Sequence, residues 1–282
     1  MHRILSREVL APDVVRFWVD APPIARKRRP GQFVIVRLHE GGERIPLTIA
    51  DADPKAGAIA LVVQAVGKTT RELNAMEPGE SIMDVAGPLG RPTEIHANQR
   101  VCCVGGGIGT AVVLPIARGV REAGGYVATI IGARTKELVI LEEDARAVSD
   151  VTIVTTDDGS YGRKGLVTLA LSDLIAESSQ PFNEVVAVGP LPMMRAVCEL
   201  TRPMRLRTTV SLNPVMVDGT GMCGGCRVTV HGEQKFVCVD GPEFDGHEVD
   251  FQELAARLAA YREDEAIAAA RYHAPGPFTP AW

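Results

Sequence analysis

The sequence has no excess of basic residues, no long apolar run and no segment of the secretory-leader type. Its 282 residues include 30 Lys and Arg against 35 Asp and Glu, a net charge of −5. A weakly acidic chain is a poor candidate for a nucleic-acid binder, because binding to phosphates needs a positive field. The most apolar stretch, residues 101–117, contains four glycines and a proline, and it is shorter than the roughly 20 residues of a membrane span. Residues 1–8 lack the apolar core of a signal peptide, so we expect a cytoplasmic protein without a membrane segment.

The composition is that of a folded chain with more than one domain. Hydrophobic residues make up 46% of the chain and the mean hydropathy is +0.07, values too apolar for intrinsic disorder. At roughly 100–200 residues per domain, the length indicates two domains. The residue patterns divide the chain further, into a β-domain (1–97), an α/β domain (98–205), a loop-rich module (206–250) and a helical tail (251–282).

Residues 1–97 have the pattern of an antiparallel β-barrel. Three runs rich in β-branched and apolar side chains, residues 14–19, 32–38 and 58–66, are bounded by Gly, Pro, Asp or Asn. Several short strands at this spacing are typical of a small barrel or sandwich.

Residues 98–205 instead alternate short apolar runs with helical segments. This alternation predicts a doubly wound parallel sheet, in which ligands bind at the carboxyl ends of the strands. The predicted strands cover residues 101–104, 126–131, 151–156 and 184–188.

The remaining residues form a module and a tail. Residues 206–250 have no helical period and are rich in Gly, Asp and Cys, which predicts a module held by something other than a hydrophobic core. The tail has an Ala- and Glu-rich helical pattern to about residue 272, and its end, residues 275–282, contains three prolines that exclude a helix. We expect both segments to lie at the contact with a partner.

Three of the six cysteines are spaced as metal ligands. In a reducing cytoplasm, paired cysteines bind metals or act in redox chemistry more often than they form disulfides. Cys223, Cys226 and Cys238 follow Asp218 in the order Asp-x4-Cys-x2-Cys-x11-Cys, which is the plant-type 2Fe–2S spacing with Asp as the first ligand. A carboxylate is an anionic donor, and the glycines between the ligands let the loop fold closely around a cluster. A structural zinc site held by the same four residues is the alternative.

The other three cysteines have a simpler interpretation. Cys102 and Cys103 fall in a predicted strand and Cys198 in a predicted helix. A free cysteine packs there as a small hydrophobe, so we expect these three to be buried and structural. No nucleophile–base pair stands out in the sequence, and we predict no catalytic side chain.

A glycine-rich turn follows the first strand of the α/β region. Gly105, Gly106, Gly107, Gly109 and Thr110 stand where a strand ends and a helix begins, which is the context of a phosphate-binding turn. The spacing differs from the Rossmann pattern G-x-G-x-x-G, and tight packing alone is the alternative explanation.

Three later turns fall at the same predicted edge. Arg134 follows the second strand, Asp158 follows the third, and Gly189, Pro190 and Met193 follow the last. Arg134 could pair with a 2′-phosphate or stay a solvated loop charge, which leaves NAD against NADP open. Asp158 could equally be an ordinary helix cap.

Two polar segments of the β-region could hold a diphosphate, with an edge strand and an ordinary loop as the alternative. The candidate residues are Arg44, Pro46, Leu47 and Thr48 in the first segment and Gly67, Thr69 and Thr70 in the second.

Together these motifs resemble the ferredoxin–NADP reductase-like superfamily over nearly the whole chain. The most specific segments are residues 211–227, SLNPVMVDGTGMCGGCR, and residues 238–246, CVDGPEFDG. They are similar to the electron-transfer subunits of dihydroorotate dehydrogenase, sulfide dehydrogenase and NADH-dependent ferredoxin:NADP oxidoreductase. The dihydroorotate type uses four cysteines, so Asp218 favours the ferredoxin:NADP oxidoreductase and sulfide dehydrogenase branch.

The resemblance implies three cofactor sites. FAD would lie on the barrel, at residues 44–48 and 67–70 and beside Val62 and Gln64. NAD(H), with NADP(H) not excluded, would use the turns at residues 105–110 and 189–194, with Arg134 and Asp158. The 2Fe–2S cluster would be held by Asp218, Cys223, Cys226 and Cys238.

The resemblance also implies a function, that of an NAD(P)H-dependent oxidoreductase subunit. NADH would give a hydride to FAD, which would pass single electrons to the cluster. Such a subunit needs a partner, a larger subunit with its own flavin and iron–sulfur clusters, in a heterodimer or larger assembly that could reach ferredoxin. Any electron bifurcation would belong to the partner's flavin. Two alternatives stay open: a dihydroorotate dehydrogenase-type electron-transfer subunit, and a nucleotide-binding regulatory subunit stapled by zinc.

Overall fold

A computed structural model describes residues 1–271 of the chain. Within that range it contains two seven-stranded sheets and one two-stranded hairpin. The predicted Pro-rich end of the tail, residues 275–282, lies outside the described residues.

The first sheet is antiparallel and nearly closes into a barrel. Its strands are β1 (His2–Ala11), β2 (Val14–Asp20), β3 (Phe33–Arg37), β4 (Arg44–Asp53), β5 (Ala58–Gln64), β6 (Ser81–Ile82) and β7 (Asp84–Leu89), with helices α1 (Pro22–Lys27) and α2 (Lys68–Asn74). The order is β6-β1-β2-β5-β4-β3-β7, and the two edge strands are separated along the chain only by Met83. Alternating side chains such as Phe17, Ile59 and Leu61 are fully buried inside. The predicted antiparallel barrel architecture is confirmed.

The second sheet is parallel and doubly wound, as predicted. Its parallel strands are β8 (Arg100–Gly106), β9 (Tyr126–Ala133), β10 (Val151–Thr156), β11 (Arg163–Lys164), β12 (Glu184–Val188) and β13 (Arg207–Ser211), with helices α3 (Gly109–Glu122), α4 (Glu142–Val148), α5 (Val167–Glu177) and α6 (Leu191–Thr201). The order is β11-β10-β9-β8-β12-β13. Because β8 lies between β9 and β12, the winding reverses at its carboxyl end, where such sheets open a ligand crevice.

The third part joins both sheets. It consists of β14 (Arg227–Val230), β15 (Glu233–Phe236), α7 (Val237–Asp240) and β16 (Glu243–Asp245). Strands β14 and β15 form the hairpin, and β16 adds an antiparallel strand beside β13. The tail follows as α8 (Phe251–Ala259) and α9 (Arg262–Arg271). Helix α8 packs on this chain through the fully buried Leu254, and Asp250 caps it by accepting from two backbone amides.

One expectation about the third part was wrong. Its buried Val228, Val230 and Val237 belong to the same hydrophobic cluster as Ile35 of the barrel and Val210 of the parallel sheet. The segment therefore does have a hydrophobic core, one that it shares with both neighbours. The sequence pattern did not predict this core, because each of the short strands places only one or two apolar residues on its inner face.

The three non-ligand cysteines are buried, as expected. Cys102 and Cys103 point to opposite faces of the parallel sheet and belong to separate hydrophobic clusters, while Cys198 lies on α6. Burial raises the pKa of Cys102 to about 12 and likewise that of Cys198 to about 12, so both remain neutral thiols.

Within residues 1–271, no helix is both long and apolar enough to cross a membrane.

A buried acid lies where the three parts meet. The residue Glu243 on β16 is partly exposed as a whole, but its carboxyl group is buried and accepts a hydrogen bond from Thr93 at 2.7 Å. A side chain at Gly31 of the barrel would collide with both of these groups. Burial raises the pKa of Glu243 to about 7, although the Thr93 bond opposes this.

We expect Glu243→Gln to stabilise the protein at alkaline pH. The raised pKa means that the folded state holds the proton more tightly than the unfolded state, so wild-type stability falls as pH rises from the ordinary glutamate value towards 7. Gln keeps the acceptor for Thr93 without the charge, and the gain at pH 8 should be on the order of 3 kcal/mol. Thermal unfolding midpoints at pH 5 and pH 8 measure the effect. The control is Glu94→Gln, at the exposed residue after Thr93, which should change neither unfolding midpoint. If the midpoints of Glu243→Gln and of the wild type change equally with pH, the prediction is contradicted.

Candidate functional site

The glycine-rich turn and the last strand's turn come together at the carboxyl edge of the parallel sheet. Val188 at the end of β12 pairs with Gly105 at the end of β8. An added Cβ on Gly189 would lie 3.0 Å from the Cα atom of Gly106 and 2.9 Å from Met193. The structure therefore brings the two sets of residues predicted to bind a nucleotide into direct contact.

Two glycines of this edge are required by close packing. A Cβ on Gly109 would lie 2.1 Å from the carbonyl oxygen of Val188, and a Cβ on Gly106 would lie 2.4 Å from the sulfur of Met193. The first collision is with backbone, which cannot swing aside. Any side chain at Gly109 would push α3 away from β12.

A third glycine leaves open space for a ligand. Gly107 has a φ of +55° and no atom within 4 Å of the position that a Cβ would take. Thr110, in the first turn of the 14-residue helix α3, is fully buried, and its hydroxyl makes no hydrogen bond to the described residues. An open backbone turn at a helix N-terminus fits a diphosphate, so the residues present fit the nucleotide.

The turns after β9 and β10 are tied to each other. The amide of Asp158 donates to the carbonyl of Arg134 at 3.3 Å, and the amide of Lys136 donates to the Ser160 hydroxyl at 2.8 Å. Ser160 in turn donates its amide and its hydroxyl to the Asp158 carboxylate, which holds the pKa of Asp158 below its usual value. The exposed Asp158 therefore carries its negative charge next to Arg134.

On the barrel, β4 carries the first set of predicted flavin residues. Pro46, Leu47 and Thr48 are half-buried, whereas Arg44 is exposed and its side chain has no ion pair or hydrogen bond to residues 1–271. An unpaired cation at a strand end is available for an anionic ligand.

The start of α2 carries the second flavin segment. Gly67 has nothing within 4 Å of its Cβ position, so a ligand can approach its backbone. The Thr70 hydroxyl accepts from the amides of Val66 and Gly67, at 3.0 and 2.9 Å, and thereby occupies those two donors. The hydroxyl of Thr69 donates to the carboxylate of Glu43.

Glu43 is a residue that the sequence reasoning missed. It connects the two predicted flavin segments, since it precedes Arg44 and accepts from Thr69. The only sequence signal was its place beside Arg44. The neighbouring strand β5 carries Gln64, which is half-buried, and Val62, which lies in the hydrophobic cluster under α3.

The predicted metal ligands form two pairs. The sulfur atoms of Cys226 and Cys238 lie 3.3 Å apart and are buried. Asp218 and the exposed Cys223 are neighbours in the loop, because the Asp218 carboxylate accepts from the Cys223 amide at 2.6 Å and from the Thr220 amide at 2.7 Å. In the described part of the chain, no three His, Cys, Asp or Glu side chains converge as a single-metal site would need.

The donor chemistry of these pairs fits an iron–sulfur cluster. The hydrogen bond from Thr220 lowers the pKa of Asp218, so its carboxylate is available as an anionic donor. Burial raises the pKa of Cys238 to about 12, reinforced by the adjacent Cys226 sulfur. A thiol with a raised pKa becomes an anionic donor when a metal cation binds to it. Pairs of anionic donors suit the two irons of a 2Fe–2S cluster.

Glycines give the ligand loop its shape. Gly219, Gly221 and Gly224 all have φ between +66° and +84°, which other residues adopt with strain. An added Cβ on Gly219 would lie 2.6 Å from Leu89 and 2.9 Å from Ile35 of the barrel. The loop therefore packs directly on the barrel.

A cavity joins the ligand loop to the predicted flavin strand. It has a volume of about 350 Å³, and Asp218 lines it together with Arg44 and Arg37. Arg37 is paired with Asp84, while Arg44 is not paired. Two sites that the sequence placed in separate domains thus share one space.

The outer surface of the ligand loop is apolar. Met222, next to Cys223, is 89% exposed. Three further apolar side chains are exposed around it: Val215, Val217 and Val239. A group of exposed apolar side chains beside a site is typical of a contact with another protein.

Comparison with known proteins gives one family-model match and several long relatives. Residues 213–250 match the iron–sulfur cluster binding domain of dihydroorotate dehydrogenase B. A Thermotoga maritima protein, named as a homologue of the dihydroorotate dehydrogenase B (NAD(+)) electron transfer subunit, is 50% identical over 272 residues, covering 96% of this chain and 95% of its own length. The Geobacillus kaustophilus electron transfer subunit of that enzyme is 35% identical and covers 87% of this chain and 96% of its own.

Two solved structures share the fold of this chain. A structure of NADH-dependent reduced ferredoxin-NADP oxidoreductase, described for flavin-based electron bifurcation, contains a chain that is 50% identical to this one. The match has a TM-score of 0.90 and covers 96% of this chain and 97% of the other. Phthalate dioxygenase reductase matches with a TM-score of 0.56 at 17% identity, over 85% of this chain and 94% of its own, and so shares the fold.

Proposed function

This chain belongs to the family of dihydroorotate dehydrogenase B electron-transfer subunits and their homologues, and we propose that it is the flavin- and iron–sulfur-containing electron-transfer subunit of an NADH-dependent ferredoxin:NADP oxidoreductase. The match to that enzyme at 50% identity over 96% of the chain carries this assignment. The groups it implies are NAD(H), FAD and a 2Fe–2S cluster. When bound, FAD would supply the two-electron to one-electron chemistry: it would accept a hydride from NADH, leaving NAD⁺, and exchange electrons singly with the cluster.

The parallel sheet supplies the nucleotide site. The open turn at Gly107 and the N-terminus of α3 bind the diphosphate, and the turn at Gly189 and Pro190 borders the nicotinamide end. Arg134 and Asp158, in the turns after β9 and β10, border the adenosine end. These residues orient the nucleotide, and none of them exchanges a proton.

The barrel supplies the flavin site. Arg44 binds the anionic part of FAD, the open space at Gly67 leaves room for it, and β4 from Pro46 to Thr48 forms the surface beside it. Asp218 of the proposed cluster loop lines the same cavity as Arg44 of the proposed flavin strand. Single-electron exchange between the flavin and the cluster requires that the two groups lie close together, and this shared cavity supports that arrangement.

The cluster site uses Asp218 with Cys223, and Cys226 with Cys238. The proposed division is a flavin domain (1–97), a nucleotide domain that starts at residue 98 and extends past the predicted boundary at 205 to include β13, a cluster module that ends at residue 250, and a tail (251–282). The 2Fe–2S site would face the partner through Met222 and its exposed apolar neighbours.

The partner is a larger subunit with its own flavin and iron–sulfur clusters, in a cytoplasmic heterodimer or larger assembly that can exchange electrons with ferredoxin. Electron bifurcation, as described for the solved relative, would take place on the partner's flavin. Neither nucleic acid nor a membrane is part of this proposal.

A dihydroorotate dehydrogenase-type subunit is the second candidate. The names of relatives at 32–35% identity favour it, whereas Asp218 in the place of a cysteine disfavours it. A zinc-stapled regulatory subunit has less support, because the family model that matches residues 213–250 describes an iron–sulfur domain.

Anaerobic spectroscopy tests the proposed function. The chain, purified with its co-expressed partner, should show flavin absorbance that NADH bleaches and an electron paramagnetic resonance signal of a reduced 2Fe–2S cluster after dithionite. Reduction of two NADP⁺ by one NADH together with two one-electron-reduced ferredoxins would separate this enzyme from the dihydroorotate type, which would instead oxidise dihydroorotate. A colourless protein with one zinc ion would disprove the proposal.

The acidic turn after β10 predicts a preference for NADH over NADPH. Asp157 and Asp158 would repel the 2′-phosphate that distinguishes NADPH, because like charges at close range disfavour binding. We expect Asp157→Ser to raise kcat/KM for NADPH about ten-fold, a gain equivalent to roughly 1.4 kcal/mol, with little change for NADH. Steady-state kinetics with both nucleotides measures this. The control is Glu177→Gln, at the exposed C-terminal end of α5, which should leave the ratio of kcat/KM for NADPH to kcat/KM for NADH unchanged. If Asp157→Ser also leaves that ratio unchanged, the prediction is refuted.

A further inference from the structure

An ion pair joins the two elements that carry the proposed cofactor sites. Arg118 lies on α3, the helix that starts at the nucleotide turn, and Asp51 lies on β4, the strand that carries the flavin residues. The Arg118 Nη1 and Asp51 Oδ1 atoms are 2.5 Å apart, although the residues are 67 positions apart in sequence. Both side chains are about two-thirds buried, with 33% and 29% exposed.

A β-bulge in β4 orients the Asp51 side chain towards helix α3. Along the β4–β5 pair, Ile49 faces Leu61 but Asp51 faces Ala60, so Ala50 is an extra residue. In a regular strand, Asp51 would point to the same side as Ile49, which is buried in the barrel. The extra residue turns Asp51 outward, and Ala50 packs against the hydrophobic cluster under α3.

Asp51 also holds a second arginine. Its Oδ1 atom accepts from Arg28 Nη2 at 3.3 Å and from the Ala52 amide at 2.8 Å, in addition to Arg118. Arg28 follows α1, and its side chain is only 14% exposed. One carboxylate thus fixes a strand of the barrel, the segment after α1 and the nucleotide helix to each other.

We propose that Asp51 is a positioning residue for hydride transfer, which holds α3 against β4 and so sets how the nicotinamide meets the flavin. This inference rests on the proposed function. Arg118 is nine residues beyond Gly109, about 14 Å along a helix, and Asp51 is three residues beyond Thr48, about 10 Å along a strand. A small shift at the ion pair is therefore passed on to both sites. Neither Asp51 nor Arg118 exchanges electrons or protons in the transfer from NADH to FAD.

Reductive stopped-flow kinetics with NADH tests the proposal. In Asp51→Asn and in Arg118→Gln, we expect the limiting rate of flavin reduction to fall about ten-fold or more, since misplacement by about 1 Å can cost 10²-fold. The apparent dissociation constant of NADH should change less than about two-fold, because the nucleotide contacts remain. The double variant should be no slower than the slower single variant, since both changes break one contact.

A second ion pair across the same interface is the matched control. Arg16 on β2 lies 3.4 Å from Asp144 on α4, with side-chain exposures of 23% and 35%, and neither element carries a proposed cofactor residue. Asp144→Asn should leave the limiting rate unchanged.

The outcomes separate this proposal from the proposed function. If NADH does not reduce the wild-type flavin, the proposed function itself fails. If the wild type is reduced, and Asp51→Asn is as fast as wild type or Asp144→Asn slows equally, the positioning role is overturned. Should Asp51→Asn fail to retain flavin, Arg118→Gln decides, because it leaves Asp51 bonded to Arg28.

Discussion

Asp218→Ala should yield a protein that has lost its 2Fe–2S cluster but keeps its FAD. The substitution removes the one non-cysteine donor and leaves three thiolates for two irons. It also removes the acceptor for the Thr220 and Cys223 amides, which shapes the loop. The predicted flavin residues lie on β4 and α2, which are anchored in the barrel's own core through Ile49 and Leu73, so both elements should stay folded without the cluster. Iron content, flavin content and electron paramagnetic resonance of the reduced protein measure the two groups separately.

Two further variants separate ligation from loop folding. Asp218→Asn keeps an oxygen that accepts a hydrogen bond but has no negative charge, so it should also lose the cluster if Asp218 is a ligand. Asp218→Cys restores an anionic donor and should retain a cluster with an altered spectrum. Asp245→Ala, which removes another aspartate that accepts a nearby amide in the same module, should keep full cluster content. Stable, full occupancy in Asp218→Ala would show that Asp218 does not bind iron.

Gly109→Ala is expected to abolish reduction of the flavin by NADH while both flavin and cluster stay bound. The new Cβ would lie 2.1 Å from the carbonyl oxygen of Val188 and 2.9 Å from the amide nitrogen of Gly189. Since these are backbone atoms, α3 must move away from β12, and the two nucleotide turns separate. We expect a loss of about 100-fold or more in the rate at fixed NADH, from misplacement of the reacting atoms.

A glycine in the turn that follows the same helix, just before β9, is the control. A Cβ on Gly125 would collide with the carbonyl oxygens of Gln99 and Val120, at 2.6 and 2.9 Å, but at the amino edge of the sheet. Gly125→Ala should therefore destabilise the protein without a comparable loss in the NADH reaction of the folded fraction. If Gly109→Ala reacts with NADH at the wild-type rate, the turn is not the nucleotide site.

Much of the fold was predictable from local pattern. The alternation of apolar runs with helices predicted the parallel sheet, and short strands between turn residues predicted the barrel. The expectation of a third part without a core was wrong because its apolar side chains, such as Val228 and Val237, are too few for a core of their own. They are buried only because Ile35 and Val210 of the two sheets complete the cluster.

The sequence by itself determined the chemistry of the sites, because that chemistry depends on residues close together in the chain. Asp218, Cys223 and Cys226 belong to one loop, and the turn from Gly105 to Thr110 is set by its own glycines, so covalent spacing limits their geometry. The tertiary structure alone decided how the sites are related. That Asp218 shares a cavity with Arg44, and that Asp51 reaches Arg118, depends on strand order, on a bulge and on packing between distant segments. Local residue patterns do not predict those long-range contacts, because many arrangements of strands and helices are compatible with the same pattern. Only the packing of the cores selects one of them.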